Sequence, residues 1–289
     1  MTTPMLDRAA ARRLASDAEV ISVRRLPQGR FNTCWHLTGR DRSYLLKFNN
    51  REGEAHLQKT ADAMIGAAAR GVKVPQVLRL GRDPNLGPFL LQEWLPGRTF
   101  TDARRTDAIT TNLWPALAEQ IALLHNGSTI AVPATPASRV RHLSDLLHRL
   151  GRDQLIPSDL EEVARRRGTV LADMLGDHPM VNTHQDIHPD NILIRPGGQI
   201  ALLDFDHATI AEDVSDFVKI DRWCLPAGED RRLLLDAYWR QRGQPADPMF
   251  EHRLSFYRLV IHLSYVLYWR VRDSTQIPGC VAALRNELE

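Results

Sequence analysis

His184-Gln185-Asp186-Ile187-His188-Pro189-Asp190-Asn191 runs on through Ile192-Leu193-Ile194-Arg195, turns at Pro196-Gly197-Gly198, and returns as Ile200-Ala201-Leu202-Leu203-Asp204-Phe205-Asp206. Two short apolar runs joined by Pro-Gly-Gly read as a β-hairpin. The polar residues gather in the segments that flank it. Asp186 and Asn191 lie five positions apart on one loop, and Asp204 enters from the neighbouring strand. Transfer of a phosphoryl group needs few protein parts: a carboxylate that orients an attacking hydroxyl and takes its proton, and oxygen ligands for the cation on the phosphates. Asp186, Asn191 and Asp204 supply those residue types. Read blandly, the same stretch is a polar loop with a turn at His188-Pro189-Asp190 and a structural histidine at His184. An Asp and an Asn five apart say little alone. The leading histidine, the apolar hairpin and Asp204-Phe205-Asp206 make the combination specific.

Upstream, Val20 to Leu26, Asn32 to Thr38 and Ser43 to Phe48 are predicted strands of an antiparallel meander, with turns at Pro27-Gln28-Gly29 and Gly39-Arg40-Asp41. Leu6 to Ala15 has helical spacing of its apolar residues. Glu52 to Arg70 is Ala-rich, with acidic residues in its first turn and Gly71 just beyond its end, the start and stop signals of a helix. Val74 to Leu80 and Pro88 to Trp94 add two strands, and Pro96-Gly97 marks a hinge. Beyond it Trp114 to His125, Val140 to Leu150 and Ser158 to Leu175 are amphipathic helices. Val181 to Thr183 and the two hairpin runs are the only strands predicted there. After Asp216 the chain returns to helices, Leu233 to Arg242 and Arg253 to Arg272 being the clearest. The plan is α+β and bilobal: a small antiparallel-sheet lobe with one helix over residues 1–95, and a larger, mainly helical lobe over 96–289. Ligands in such plans occupy the cleft.

Composition narrows the partners. With 37 basic and 35 acidic residues the formal net charge is +2, too small a field to imply nucleic acid or an anionic membrane. Cys34, Cys224 and Cys280 are too few and scattered for a disulfide framework, which suits a reducing compartment. Met1 to Ala18 is interrupted by charges and lacks the apolar run of a signal peptide. Leu254 to Trp269 carries Arg258 and His262 and falls short of the ~20 residues that span a bilayer. A cytoplasmic monomer or dimer follows as the expectation. Only Lys47, Lys59, Lys73 and Lys219 among the 37 basic residues are lysine. Lys47 interrupts the otherwise apolar Tyr44-Leu45-Leu46-Lys47-Phe48. It is either an edge-strand charge or a compact ammonium chosen for a purpose.

With these residues in view, His184-Gln185-Asp186 through Asn191, together with Asp204-Phe205, resembles the catalytic and metal-binding loops of the aminoglycoside phosphotransferase and choline kinase family, a protein-kinase-like fold. The resemblance covers most of the chain. It implies a small-molecule kinase that moves the γ-phosphoryl of ATP or GTP, with Mg2+, to a hydroxyl of a small, cationic acceptor such as an aminoglycoside-like antibiotic. A metabolic kinase of the choline, homoserine or thiamine type, or a binding-only pseudokinase, is the alternative. By the resemblance Asp186 is the catalytic base, Asn191 and Asp204 hold magnesium, and His184 braces the loop. Asp216 stands where the family has an aspartate that steadies the catalytic loop. Lys47 resembles the strand lysine on the α- and β-phosphates. Glu54, before Glu52 and Asp62, is the candidate partner for it, although the family's spacing points nearer Asp62. Gly29 and Asn32 lie in the place of the phosphate-covering loop, and Leu90 to Gly97 resembles the hinge, with the Glu93 carbonyl and Leu95 amide facing the purine. His125 reads as structural, and the aromatic residues Tyr238, Trp239, Phe256, Tyr257, Tyr265, Tyr268 and Trp269 either line a substrate pocket or, as helical spacing favours, fill the core. Gln185 and Asp190 depart from the glycines common in the family, and Asp206-His207-Ala208 replaces the glycine of Asp-Phe-Gly.

Overall fold

Alternating burial on β2 and at the start of β3 gives the first sheet one apolar face. The computed structural model describes residues 6–15, 19–27, 32–49, 52–106, 112–127, 130–225 and 228–289. In chain order the described elements start with α1 (Arg8–Leu14), β1 (Val20–Arg25), β2 (Thr33–Gly39), β3 (Ser43–Phe48), α2 (Gly53–Ala69), β4 (Val77–Asp83) and β5 (Gly87–Glu93). The strands pair antiparallel in the order β1-β2-β3-β5-β4. Trp35 and Leu37 on β2, Tyr44, Leu46 and Phe48 on β3, and Phe89 and Leu91 on β5 are buried on one face, where Ala11 and Leu14 of α1 pack on them. Each such side chain contributes about 1.5–3 kcal/mol by leaving water. The other face is aligned by register: Cys34 opposes Lys47, His36 opposes Leu45, and Lys47 opposes Leu90. That face therefore carries the lone strand lysine inward.

The chain continues through β6 (Arg98–Thr99), α3 (Phe100–Arg105), α4 (Leu113–His125), β7 (Ile130–Ala134), α5 (Pro136–Arg152), α6 (Ser158–Met174), β8 (His178–Thr183), β9 (Ile192–Ile194), β10 (Ile200–Leu202) and β11 (Thr209–Glu212). Four helices close it: α7 (Phe217–Trp223), α8 (Glu229–Arg242), α9 (Phe250–Arg272) and α10 (Ile277–Leu288). Two compact units result. The first gathers residues 1–126, 184–209 and 226–243; the second gathers 127–183, 210–225 and 244–289.

In the first unit the β9–β10 hairpin takes β6 as a third strand, with Arg98 opposite Ile194 and Thr99 opposite Leu193. Gly97 permits this pairing, because a Cβ there would stand 2.6 Å from the Ile194 carbonyl oxygen. The strand expected at Val74 to Leu80 is displaced to Val77–Asp83, since Pro75 has no N–H to give a ladder. In the second unit a Thr135–Ser138 capping box with Pro136 in the first turn starts α5. Its apolar face, Leu143, Leu147 and Leu150, packs with Ala164 of α6, Leu259 and Leu263 of α9 and Leu284 of α10. A buried ionic cluster sits in the same unit. Arg139 donates to both carboxylate oxygens of Glu212 at 2.7 and 2.9 Å, the Tyr257 hydroxyl donates to Glu212 at 2.8 Å, and Arg253 donates to Asp213 at 2.7 Å and to Asp247 at 2.9 Å. The third sheet, β11-β8-β7, corrects the expectation that Val181 to Thr183 and the hairpin were the only strands after the hinge. No helix among the described residues is long and apolar enough to cross a membrane.

Candidate active site

The hairpin positions the loop before it. The Leu203 amide donates to the Asn191 carbonyl at 2.9 Å, which joins the end of the 184–191 loop to the strand that carries Asp204. His184 is fully buried; its Nδ1 accepts from the Asp186 amide at 3.2 Å and its Nε2 lies 2.8 Å from the Leu203 carbonyl. With Nδ1 accepting, the assigned tautomer carries its proton on Nε2 and donates to that carbonyl. The ring rests on Phe205, centroids 4.4 Å apart. His184 therefore ties Asp186 and Asp204 into one frame. Gln185 has φ +65°, a left-handed backbone that costs a side chain about 1–2 kcal/mol, which explains why glycine suits this position.

The Asn191 side-chain nitrogen donates to the Asp186 carbonyl at 2.9 Å and to Asp186 Oδ2 at 3.2 Å. Both amide protons are engaged, so the group Asn191 has left for a cation is its oxygen. His188 turns the loop: its carbonyl accepts the Asn191 amide at 2.8 Å and its Nδ1 accepts the Asp190 amide at 3.3 Å. Asp204 follows in a left-handed conformation, φ +61°, with its side chain 43% exposed.

Lys47 reaches this frame from β3. Its ammonium, 4% exposed, donates to Asp204 Oδ1 at 2.7 Å and to Asp206 Oδ1 at 2.9 Å. Burial by itself would lower the lysine pKa, but the two aspartates overrule it and hold the ammonium above its ordinary range. Burial likewise pushes the Asp204 carboxyl up, and the Lys47 charge and hydrogen bond reverse this and bring it to about 2. Across the ladder, burial raises the Cys34 thiol to about 11, so it stays protonated beside the lysine.

The expected partner of Lys47 is not the one the structure makes. Glu54 is half exposed on the outside of α2 and pairs with Arg82 at 3.1 Å. Glu52 pairs with His56 at 2.8 Å, and Asp62 accepts from Gln58 at 2.8 Å. The buried face of α2 is Leu57, Thr60, Ala61, Met64 and Ala67, without a carboxylate. Asn32 is buried and its amide donates to Asp206. Gly29 lies outside the described residues. At the hinge the Glu93 amide donates to the Gln76 carbonyl at 2.9 Å and the Trp94 amide to the Ser43 carbonyl at 3.0 Å, while Leu95 is half-buried beyond them. Asp216 is buried in the second unit. His125 lies in the core, its Nδ1 2.8 Å from the Tyr238 hydroxyl. Thr60 and Asp206 went unassigned in the sequence. The doubled acid of Asp204-Phe205-Asp206 was the available signal.

Residues 22–250 match the model of the phosphotransferase enzyme family, APH. Comparison with curated proteins found no match. Among solved structures, the GDP and kanamycin complex of APH(2″)-IIia is 17% identical over 96% of each chain, with a TM-score of 0.73. Macrolide 2′-phosphotransferase MphH from Brachybacterium faecium is 19% identical, covering 96% of this chain and 97% of its own, with a TM-score of 0.68. ADP-bound aminoglycoside phosphotransferase APH(2″)-Ib is 15% identical over 98% of each chain, with a TM-score of 0.70. These likenesses carry the fold, α+β and protein-kinase-like. With more than half its length matched, the chain belongs to the phosphotransferase enzyme family and is a nucleotide-dependent phosphotransferase with a hydroxyl acceptor.

Proposed function

We propose that this chain transfers the γ-phosphoryl of ATP or GTP to a hydroxyl of a small cationic acceptor, an antibiotic of the aminoglycoside kind. The observation that carries the reading is the joining of Asp186, Asn191, Asp204 and buried Lys47 in one hydrogen-bonded frame. Asp186 orients the acceptor hydroxyl and takes its proton as that oxygen bonds to the γ-phosphorus and the bond to the β,γ-bridging oxygen breaks, releasing the nucleoside diphosphate. Lys47 holds the α- and β-phosphates, and the covering loop at Gly29 and the hinge at Glu93 and Leu95 hold the rest of the nucleotide. Residues 1–95 form the nucleotide-binding lobe, and residues 96–289 carry the catalytic loop and the acceptor-binding helices.

The donor set fits magnesium. Asn191 has only its amide oxygen to offer and Asp204 a half-exposed carboxylate, both hard ligands. Mg2+ bound by them would neutralise charge developing on the transferring phosphoryl group. The acceptor class rests on less: the kanamycin bound to a similar fold, and a mild acidic surplus, 13 acidic against 11 basic residues from Asp206 to Glu289. The test is a nucleotide-consumption assay of the purified protein with aminoglycosides, macrolides, choline, homoserine and thiamine. Turnover on an aminoglycoside well above the rest is the expected result. Selective turnover of a metabolic alcohol would replace the acceptor and keep the reaction. Nucleotide binding without turnover on any hydroxyl compound would overturn the reaction itself.

A further inference from the structure

A lysine that holds phosphates needs a carboxylate that keeps it aimed when the other charges in the site change hands. We infer that Asp206 is this positioning residue, taking the place of an acidic residue on α2; the inference rests on the phosphate role of Lys47 proposed above.

The two aspartates on Lys47 differ in what else they hold. Asp204 is 43% exposed, and its carboxylate is open to a cation. Asp206 is 8% exposed and both its oxygens are occupied by the protein. Oδ1 receives Lys47 at 2.9 Å and lies 3.1 Å from the Thr60 hydroxyl; Oδ2 receives the Asn32 amide and has His56 Nε2 at 3.7 Å. A carboxylate so filled is a poor metal ligand and a good anchor. When a cation draws on Asp204, Lys47 keeps Asp206, and the buried ammonium is not left unpaired.

The position of Thr60 shows what α2 lacks. Thr60 is 1% exposed on the buried face of the helix and its hydroxyl meets the same Asp206 oxygen that the lysine uses. A glutamate at this position, two atoms longer, would reach the space of the Asp206 carboxylate. The acids that α2 does carry, Glu54 and Asp62, are exposed and paired elsewhere. Asn32, expected at the nucleotide, is likewise engaged with Asp206 here, so the same carboxylate ties β3, α2 and the residue before β2 to the 204–206 segment.

The experiment compares Asp206→Ala, Asp206→Asn, Thr60→Glu with Asp206→Ala, and Lys47→Ala by calorimetry with Mg-ADP, by steady-state kinetics in nucleotide and in Mg2+, and by thermal melting. Asp206→Asn keeps volume and the Thr60 contact, and so guards against a fold lost in the alanine variant. Both single Asp206 variants should weaken nucleotide affinity tenfold or more with an unchanged half-saturating Mg2+, and the double variant should return to within about threefold of the native protein. A raised half-saturating Mg2+ in Asp206→Asn would make it a metal ligand and overturn the inference. So would a folded double variant no better than Asp206→Ala, or native affinity in both single variants. Native affinity in Lys47→Ala would instead sink the phosphate reading beneath it.

Discussion

Two buried ionic clusters, one in each unit, are alike in composition and differ in what they leave open. In the second unit Arg139 and Arg253 meet Glu212, Asp213 and Asp247, and the side chains of Arg139, Glu212 and Arg253 are 2%, 0% and 1% exposed. The guanidinium forks fix these carboxylates in place. In the first unit a compact ammonium shares itself between Asp206, which is filled, and Asp204, which is 43% exposed and held at φ +61°. Buried charge in itself marks structure. A half-open carboxylate on a left-handed backbone, beside a buried lysine, is the feature on which the proposed chemistry rests.

The sharpest way to break this contrast is to separate activity from stability. Asp186→Asn should lower turnover by ~10² to 10⁴ while melting and nucleotide affinity stay as they are, because in the proposed mechanism the carboxylate handles the acceptor's proton. Retention of more than about a tenth of the native rate in steady-state assays would remove Asp186 as the base. Arg253→Ala should do the reverse. It strands Asp213 and Asp247 without their cation, and urea unfolding should show a loss of about 3–5 kcal/mol with near-native turnover in the molecules that remain folded. A loss under about 1 kcal/mol would mean that the second cluster is not the structural one.

Acid sharpens the comparison further, with a smaller effect. In the second unit burial, then Arg222 and Arg258, push the His262 imidazole down to about 4, while Glu287 stands 3.9 Å away. The folded pKa lies below the ordinary value of 6.5, so this stability is whole above pH 6.5 and is lost as pH falls towards 4. Asp204, at about 2 against 3.8, contributes stability that is whole above 3.8 and lost only between there and about 2. In urea titrations across pH, His262→Gln should flatten the decline between 6.5 and 4, and Asp204→Asn only the part below 4. An unchanged slope in His262→Gln would show that the imidazole is not held neutral.

Local pattern was enough for much of this molecule. Strand-like runs between turn residues located the meander, apolar runs around Pro196-Gly197-Gly198 located the hairpin, and Gly71 ended α2 close to its observed bound. The grouping of Asp186, Asn191 and Asp204 was legible because they flank one short hairpin. The oddity of a lysine among arginines drew attention to Lys47. The strands β7 and β11 were not legible: Ile130–Ala134 contains a proline, Thr209–Glu212 is four residues long, and each owes its extended form to the ladder of β8. Nor was the partner of Lys47, for sequence reasoning looks along a helix for a nearby glutamate. The carboxylates that hold Lys47 come from 157 and 159 residues away, and only the packing of the sheet against the 204–206 segment could select them.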